Sequence, residues 1–115
     1  MTAVLTLKTI LVPATYISGF GAATLYNNNS NLTYDIIRHI HVCNSGSASW
    51  FSLWIAASSG AATAGTEFAY QQPLGSGQTW DWYGSLKLTS ADFLVGQSTS
   101  AGNCLISVFG EQYVT

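Results

Sequence analysis

IIRHIHVCN, residues 36–44, combines Ile36, Ile37, Ile40 and Val42 with His39, His41 and Cys43 at every second position. β-Branched residues at this density favour an extended chain. In a strand, successive side chains point to opposite sides. Ile36, Arg38, Ile40, Val42 and Asn44 then share one face, and Ile37, His39, His41 and Cys43 share the other. The first set is the expected core face, with Asn44 opening a turn and Arg38 near the opposite rim.

Working outward, the rest of the chain repeats this pattern of short apolar runs cut by turn-forming clusters. SGSAS separates the first strand from Trp50–Ala57, where Phe51, Leu53 and Ile55 form an apolar face opposite Trp50 and Trp54. Further runs are expected at Thr66–Gln71, Thr79–Tyr83 continuing past Gly84 into Ser85–Leu88, Phe93–Gln97 and Cys104–Val114, with a bulge at Gly110. Upstream, Ala3–Val12 is interrupted by Pro13, and Ala23–Tyr26 precedes the polar loop NNNSN. Turns recur every 8 to 12 residues or so, the spacing of an all-β sandwich. The expectation is a single antiparallel β-sandwich, jelly-roll or Ig-like, of about eight strands. Residues 1–20 are read as an N-terminal arm or added strand, and residues 21–115 as the sandwich domain.

A 115-residue chain is long enough for one real core. Only 7% of it is charged, against about 25% in ordinary soluble domains. Such a surface protects poorly against association and suits contact with other subunits. With a net charge of −2, and only Lys8, Arg38 and Lys87 as basic residues, the chain offers no patch for a nucleic-acid backbone. No apolar run approaches the roughly 20 residues of a membrane-spanning helix, so no membrane partner is expected. The N-terminal MTAVLTLKTILVP lacks the layout of a signal peptide, and the chain is expected to be intracellular when made. Cys43 and Cys104 allow one disulfide at most, which a reducing cytoplasm disfavours.

From Thr24 onward the sequence resembles a family of small β-sandwich virion proteins of tailed bacteriophages. ATLYNNNSNLTYDIIRHIHVCNSGS (residues 23–47), FSLWIAA (51–57), TWDWYGSLKLTSADFLVGQST (79–99) and LISVFGEQY (105–113) carry the resemblance. It departs at Ala91-Asp92, where relatives tend to have Gly-Asp. The resemblance implies a virion structural protein, of the capsid decoration (cement) type or a head or tail accessory part. Its partners would be the major capsid protein or other virion proteins, and a homo-oligomer, a trimer first, fits the local three-fold sites of a capsid. Val4, Leu5, Leu7, Ile10, Leu11, His39, His41, Trp50 and Trp54 are the candidate interface residues.

The sequence offers little for catalysis. There is no Gly-x-Ser-x-Gly elbow, no phosphate-cradling loop, and no close pair among Asp35, Glu67, Asp81, Asp92 and Glu111. No enzyme activity and no cofactor are expected. His39 and His41 could share a metal ion, but Cys43 lies about 13 Å from His39 along a strand. Cys104, Asp35 or another chain would have to complete the ligand set, and the face is read as an interface. Glycan binding is the alternative function: Trp80, Asp81, Trp82 and Tyr83 bring together stacking rings and a carboxylate. That cluster would suit a receptor-binding virion module.

Overall fold

A computed structural model describes residues 4–6, 10–19, 21–28, 30–57, 67–99 and 102–114. Among these residues the chain is all-β, with nine strands: β1 (Val4–Thr6), β2 (Ile10–Tyr16), β3 (Ala23–Asn27), β4 (Thr33–Asn44), β5 (Ser49–Ala56), β6 (Glu67–Leu74), β7 (Thr79–Leu88), β8 (Phe93–Ser98) and β9 (Cys104–Val114). Every pairing is antiparallel. One sheet has the order β2-β9-β4-β7, with β1 following β2 along the same edge of β9, and the other has the order β3-β8-β5-β6. The partners β2·β9, β3·β8, β4·β7 and β5·β6 describe one long hairpin wrapped across two packed sheets. That is the jelly-roll arrangement, and it settles the choice between jelly roll and Ig-like.

The core lies between the sheets. Leu11, Val12, Ile17, Ile37, Ile40, Val42, Leu88, Ile106 and Val108 meet Phe51, Leu53, Leu74 and Leu94 there. The period-two reading holds in β5, where Phe51 and Leu53 are fully buried, and β9 alternates in the same way, with Ile106 and Val108 fully buried. Residues 1–20 contain β1 and β2, and β2 is an integral strand that places Leu11 and Val12 in the core. Pro13 does not break β2. It falls between Val12 and Thr15, where the register against β9 shifts, so its missing N–H is not needed in the ladder.

The expected core face of β4 requires correction. Ile36 is not in the core; Ile37 is. The cause is an irregularity at Arg38: Ile37 and His39 are two residues apart, whereas their β9 partners Gly110 and Phe109 are adjacent. An extra residue reverses the alternation. Asp35 and Ile37 therefore point inward before the bulge, and Ile40, Val42 and Asn44 after it. On the other side, Ile37 and His39 pair with Leu86 and Tyr83, so Gly84 and Ser85 occupy the space opposite Arg38. The two runs expected on either side of Gly84 are one strand, β7.

Asn44 ends β4 as an inward-facing turn organiser. Its amide donates to the carbonyls of Ser47 and Leu74 at 2.7 and 2.8 Å, and its Oδ1 accepts the Gly46 N–H at 2.8 Å. Alanine at this position would leave those groups without these bonds in a site that is 2% exposed. Asn44→Ala is expected to cost about 2 kcal/mol, read as a lower urea midpoint. An unchanged midpoint would show that water replaces the side chain.

Candidate functional site

The outer face of the β2-β9-β4-β7 sheet is the candidate site. A sandwich normally presents polar residues there, and this face presents rings. Two rows cross the strands. In the first, His39 on β4 stacks on Tyr83 of β7, with centroids 4.3 Å apart at 7°, and on Phe109 of β9 at 5.4 Å. In the second, Tyr34 on β4 stacks on Tyr113 of β9 at 5.2 Å, and Lys87 Nζ of β7 sits 4.5 Å from the Tyr34 centroid. The directly opposed rings, and the diagonal contact of Lys87, which is paired with Ile36, contribute to sheet stability. The outer ends remain uncovered: Tyr83 is 72% exposed, Tyr16 53% and Ile10 52%.

The charges on this face are engaged with one another. Arg38 donates from Nε and a terminal nitrogen to the two oxygens of Glu111, each at 3.1 Å, and also to the Ser85 hydroxyl. Tyr113 donates its hydroxyl to Glu111. The Arg38 contact and then the Tyr113 bond hold the Glu111 carboxyl below its ordinary range. The bulge at Arg38 places the guanidinium beside Glu111, which is paired with Ile36 across the strands.

Between these groups, Asp81 on β7 meets both histidines of β4. Its Oδ1 lies 2.7 Å from His39 Nε2 and 2.8 Å from His41 Nδ1. These two contacts, that of His39 first, lower the Asp81 pKa. Neither Cys104 nor Asp35 joins the histidines, because both face the opposite side of the sheet. Asp35 is buried and accepts hydrogen bonds from Tyr26 Oη at 2.7 Å and Gln112 Nε2 at 3.1 Å. The third member of the cluster is Asp81, directly opposite His41 in the register. In the sequence Asp81 stands between Trp80 and Trp82. Only the pairing of strands forty residues apart brings it to the histidines.

The other sequence candidates separate. Alternation along β7 sends Trp80 and Trp82 toward the core, where they pack edge-on against Phe51 and Phe68. Asp81 and Tyr83 point to the outer face, so the four residues of WDWY do not form one platform. Trp54 is on the outer side of the second sheet but is 6% exposed, in a small cluster with Ala56 and Val95 against Ala22 and Phe93. Trp50 is half-buried. Ile10 is exposed on β2 and Leu11 is in the core. Val4 and Leu5 belong to β1, and Leu7 lies outside the described residues. Cys43 and Cys104 are free thiols. Although on neighbouring strands, they face opposite sides of the sheet. Burial, with the neighbouring Cys43 as a smaller cause, raises the Cys104 pKa.

No protein-family model matches the chain, and no curated protein does. Its structure is similar to a pentameric capsid protein isolated from metagenomic phage sequences, at 15% identity over 96% of this chain and 64% of that one, with a TM-score of 0.42. It is also similar to the structure of infectious bursal disease virus Gx strain, at 10% identity over 98% and 31%, with a TM-score of 0.46. For the VP2 subviral particle of infectious bursal disease virus the values are 13%, 98%, 32% and 0.45. The chain thus spans less than two thirds of the phage protein and about a third of the other two.

Proposed function

We propose that the chain is a non-enzymatic structural subunit of a virus particle, bound to its neighbours through the outer face of the β2-β9-β4-β7 sheet. The observation that carries this reading is the ring-tiled face itself. Phe109, His39 and Tyr83 cross three strands, Tyr83 is 72% exposed, and Arg38, Glu111 and Asp81 are engaged with partners on the same face. Tyr83, Tyr16 and Ile10 leave large apolar groups open to solvent on this face, exposed apolar surface marks interaction sites, and aromatic residues are enriched in interfaces. The low charge of the chain and its resemblance to phage virion proteins support the same reading.

Within that class, a capsid decoration protein that stabilises the particle is placed ahead of a tail or head-to-tail accessory protein, with a homotrimer as its assembly. The role requires burial of surface and no chemical step. Tyr83→Glu together with Tyr16→Glu tests it. Both side chains are more than half exposed, so the variant is expected to fold with an unchanged far-ultraviolet spectrum. It should fail to join particles, because two carboxylates would be desolvated at the contact. Incorporation equal to wild type would overturn the assignment of this face.

A further inference from the structure

We propose that His39, His41 and Asp81 form a binding site for one divalent transition-metal ion, of the zinc, cobalt or nickel class, on the outer face of the sheet. Their ligand atoms, His39 Nε2, His41 Nδ1 and a carboxylate oxygen of Asp81, all lie within 4.8 Å of one another. Two imidazoles and one carboxylate are a donor set that borderline ions prefer, whereas calcium and magnesium favour oxygen alone.

The three ligand atoms are close enough to be drawn onto one ion by side-chain movement alone. Ligand atoms about 2.0–2.1 Å from a tetrahedral ion are roughly 3.3 Å apart. Here both histidine nitrogens are 2.7–2.8 Å from Asp81 Oδ1. Binding would open each of these contacts by about half an ångström and bring the two histidine nitrogens, which lie within 4.8 Å of each other, to a similar spacing through side-chain torsions. In the metal-free cluster, His39 Nε2–H and His41 Nδ1–H donate to the Asp81 carboxylate. On binding, each imidazole moves its proton to the other ring nitrogen and turns a lone pair to the ion.

Two features hold the set in place. His39 is clamped between the Tyr83 and Phe109 rings, which fixes its plane. The ladder that pairs His41 with Asp81 and His39 with Tyr83 fixes the approach of β7. The three side chains remain 27–35% exposed, so an ion enters directly from solvent. Three protein ligands leave a fourth position facing outward, for water or a donor from a neighbouring molecule.

The test is titration of the purified chain with Zn²⁺ alone by calorimetry, and with Co²⁺ by visible absorption. One ion per chain is expected, with the visible bands of a low-coordinate cobalt site. His39→Ala, His41→Ala and Asp81→Asn should each weaken binding by about tenfold or more, and Cys43→Ser should leave it unchanged. A readout on the unmodified chain guards against misfolded variants: Zn²⁺ should protect both histidines from diethyl pyrocarbonate. The proposal is overturned if the wild type takes up no ion, or if uptake survives the three substitutions. It is equally overturned if uptake is lost with Cys43→Ser or the histidines stay reactive with Zn²⁺ present. These outcomes are independent of whether the Tyr83/Tyr16 variant joins particles.

Discussion

Phe51→Ala is expected to lower the unfolding free energy by about 3–5 kcal/mol, the usual cost of truncating a fully buried phenylalanine. Phe51 is 0% exposed on β5, and its ring meets Trp80 of β7 edge-on at 5.2 Å. The pair belongs to opposite sheets, so the substitution removes ring volume from the seam that joins them. An aromatic pair adds roughly 0.5–1.5 kcal/mol to its burial. The indole of Trp80, only half-buried, would lose its packing partner and gain exposure. Urea denaturation followed by tryptophan fluorescence measures both effects. A loss below about 1.5 kcal/mol would mean that the sheets do not close on Phe51, since a cavity of that size cannot be so mild. Tyr83→Ala on the exposed face should stay near 0.5 kcal/mol and serves as the comparison.

Gly110→Ala should cost about 3 kcal/mol, although it adds one methyl group. A Cβ at Gly110 would lie 2.1 Å from the carbonyl oxygen of Ile36 and 3.1 Å from the Ile37 Cα. These are backbone atoms held in the β4·β9 ladder beside the Arg38 bulge. No rotamer change relieves the contact, so the strands must separate or the bulge must move. Moving it would turn the inward and outward residues of β4 over. The melting temperature is expected to fall by roughly 10 °C. Gly46→Ala provides the contrast: its new Cβ would meet the Asn103 side chain, which can turn aside at the cost of its hydrogen bond to Ser49, whereas the backbone at Gly110 cannot. Equal and small shifts for both variants would show that β4 and β9 are not pressed together at Gly110.

The sequence made the strands legible because their signal is local. β-Branched residues, alternation and turn clusters located β4, β5, β8 and β9 closely, and the apolar face of β5 read correctly. The bulge was not legible from β4 alone, because nothing in IIRHIHVC distinguishes an inserted residue from an ordinary one. Its traces lie in the neighbours: Gly110, where a side chain would strike β4, and Gly84, which sits opposite Arg38. One unmarked insertion was enough to exchange Ile36 for Ile37 in the core.

The candidate site shows the same limit. His39 and His41 were visible as a pair, but Asp81 was assigned to an aromatic cluster next to it in the chain. Alternation alone could have split Trp80 and Trp82 from Asp81 and Tyr83. Bringing Asp81 to the histidines required the β4·β7 register, which depends on pairing across the whole jelly roll. The rings of the outer face are likewise scattered through the sequence, from Tyr34 to Tyr113, and become a surface only when β9, β4 and β7 lie side by side.

A subunit of the proposed kind has this outer face covered by a neighbouring subunit in the virus particle. Electron cryomicroscopy of intact particles at side-chain detail tests it most directly. Density for another chain against Tyr83, His39 and Phe109, with those rings buried, is the predicted result. Particles in which the chain is present but this face lies open to solvent, or from which the chain is absent, would contradict it.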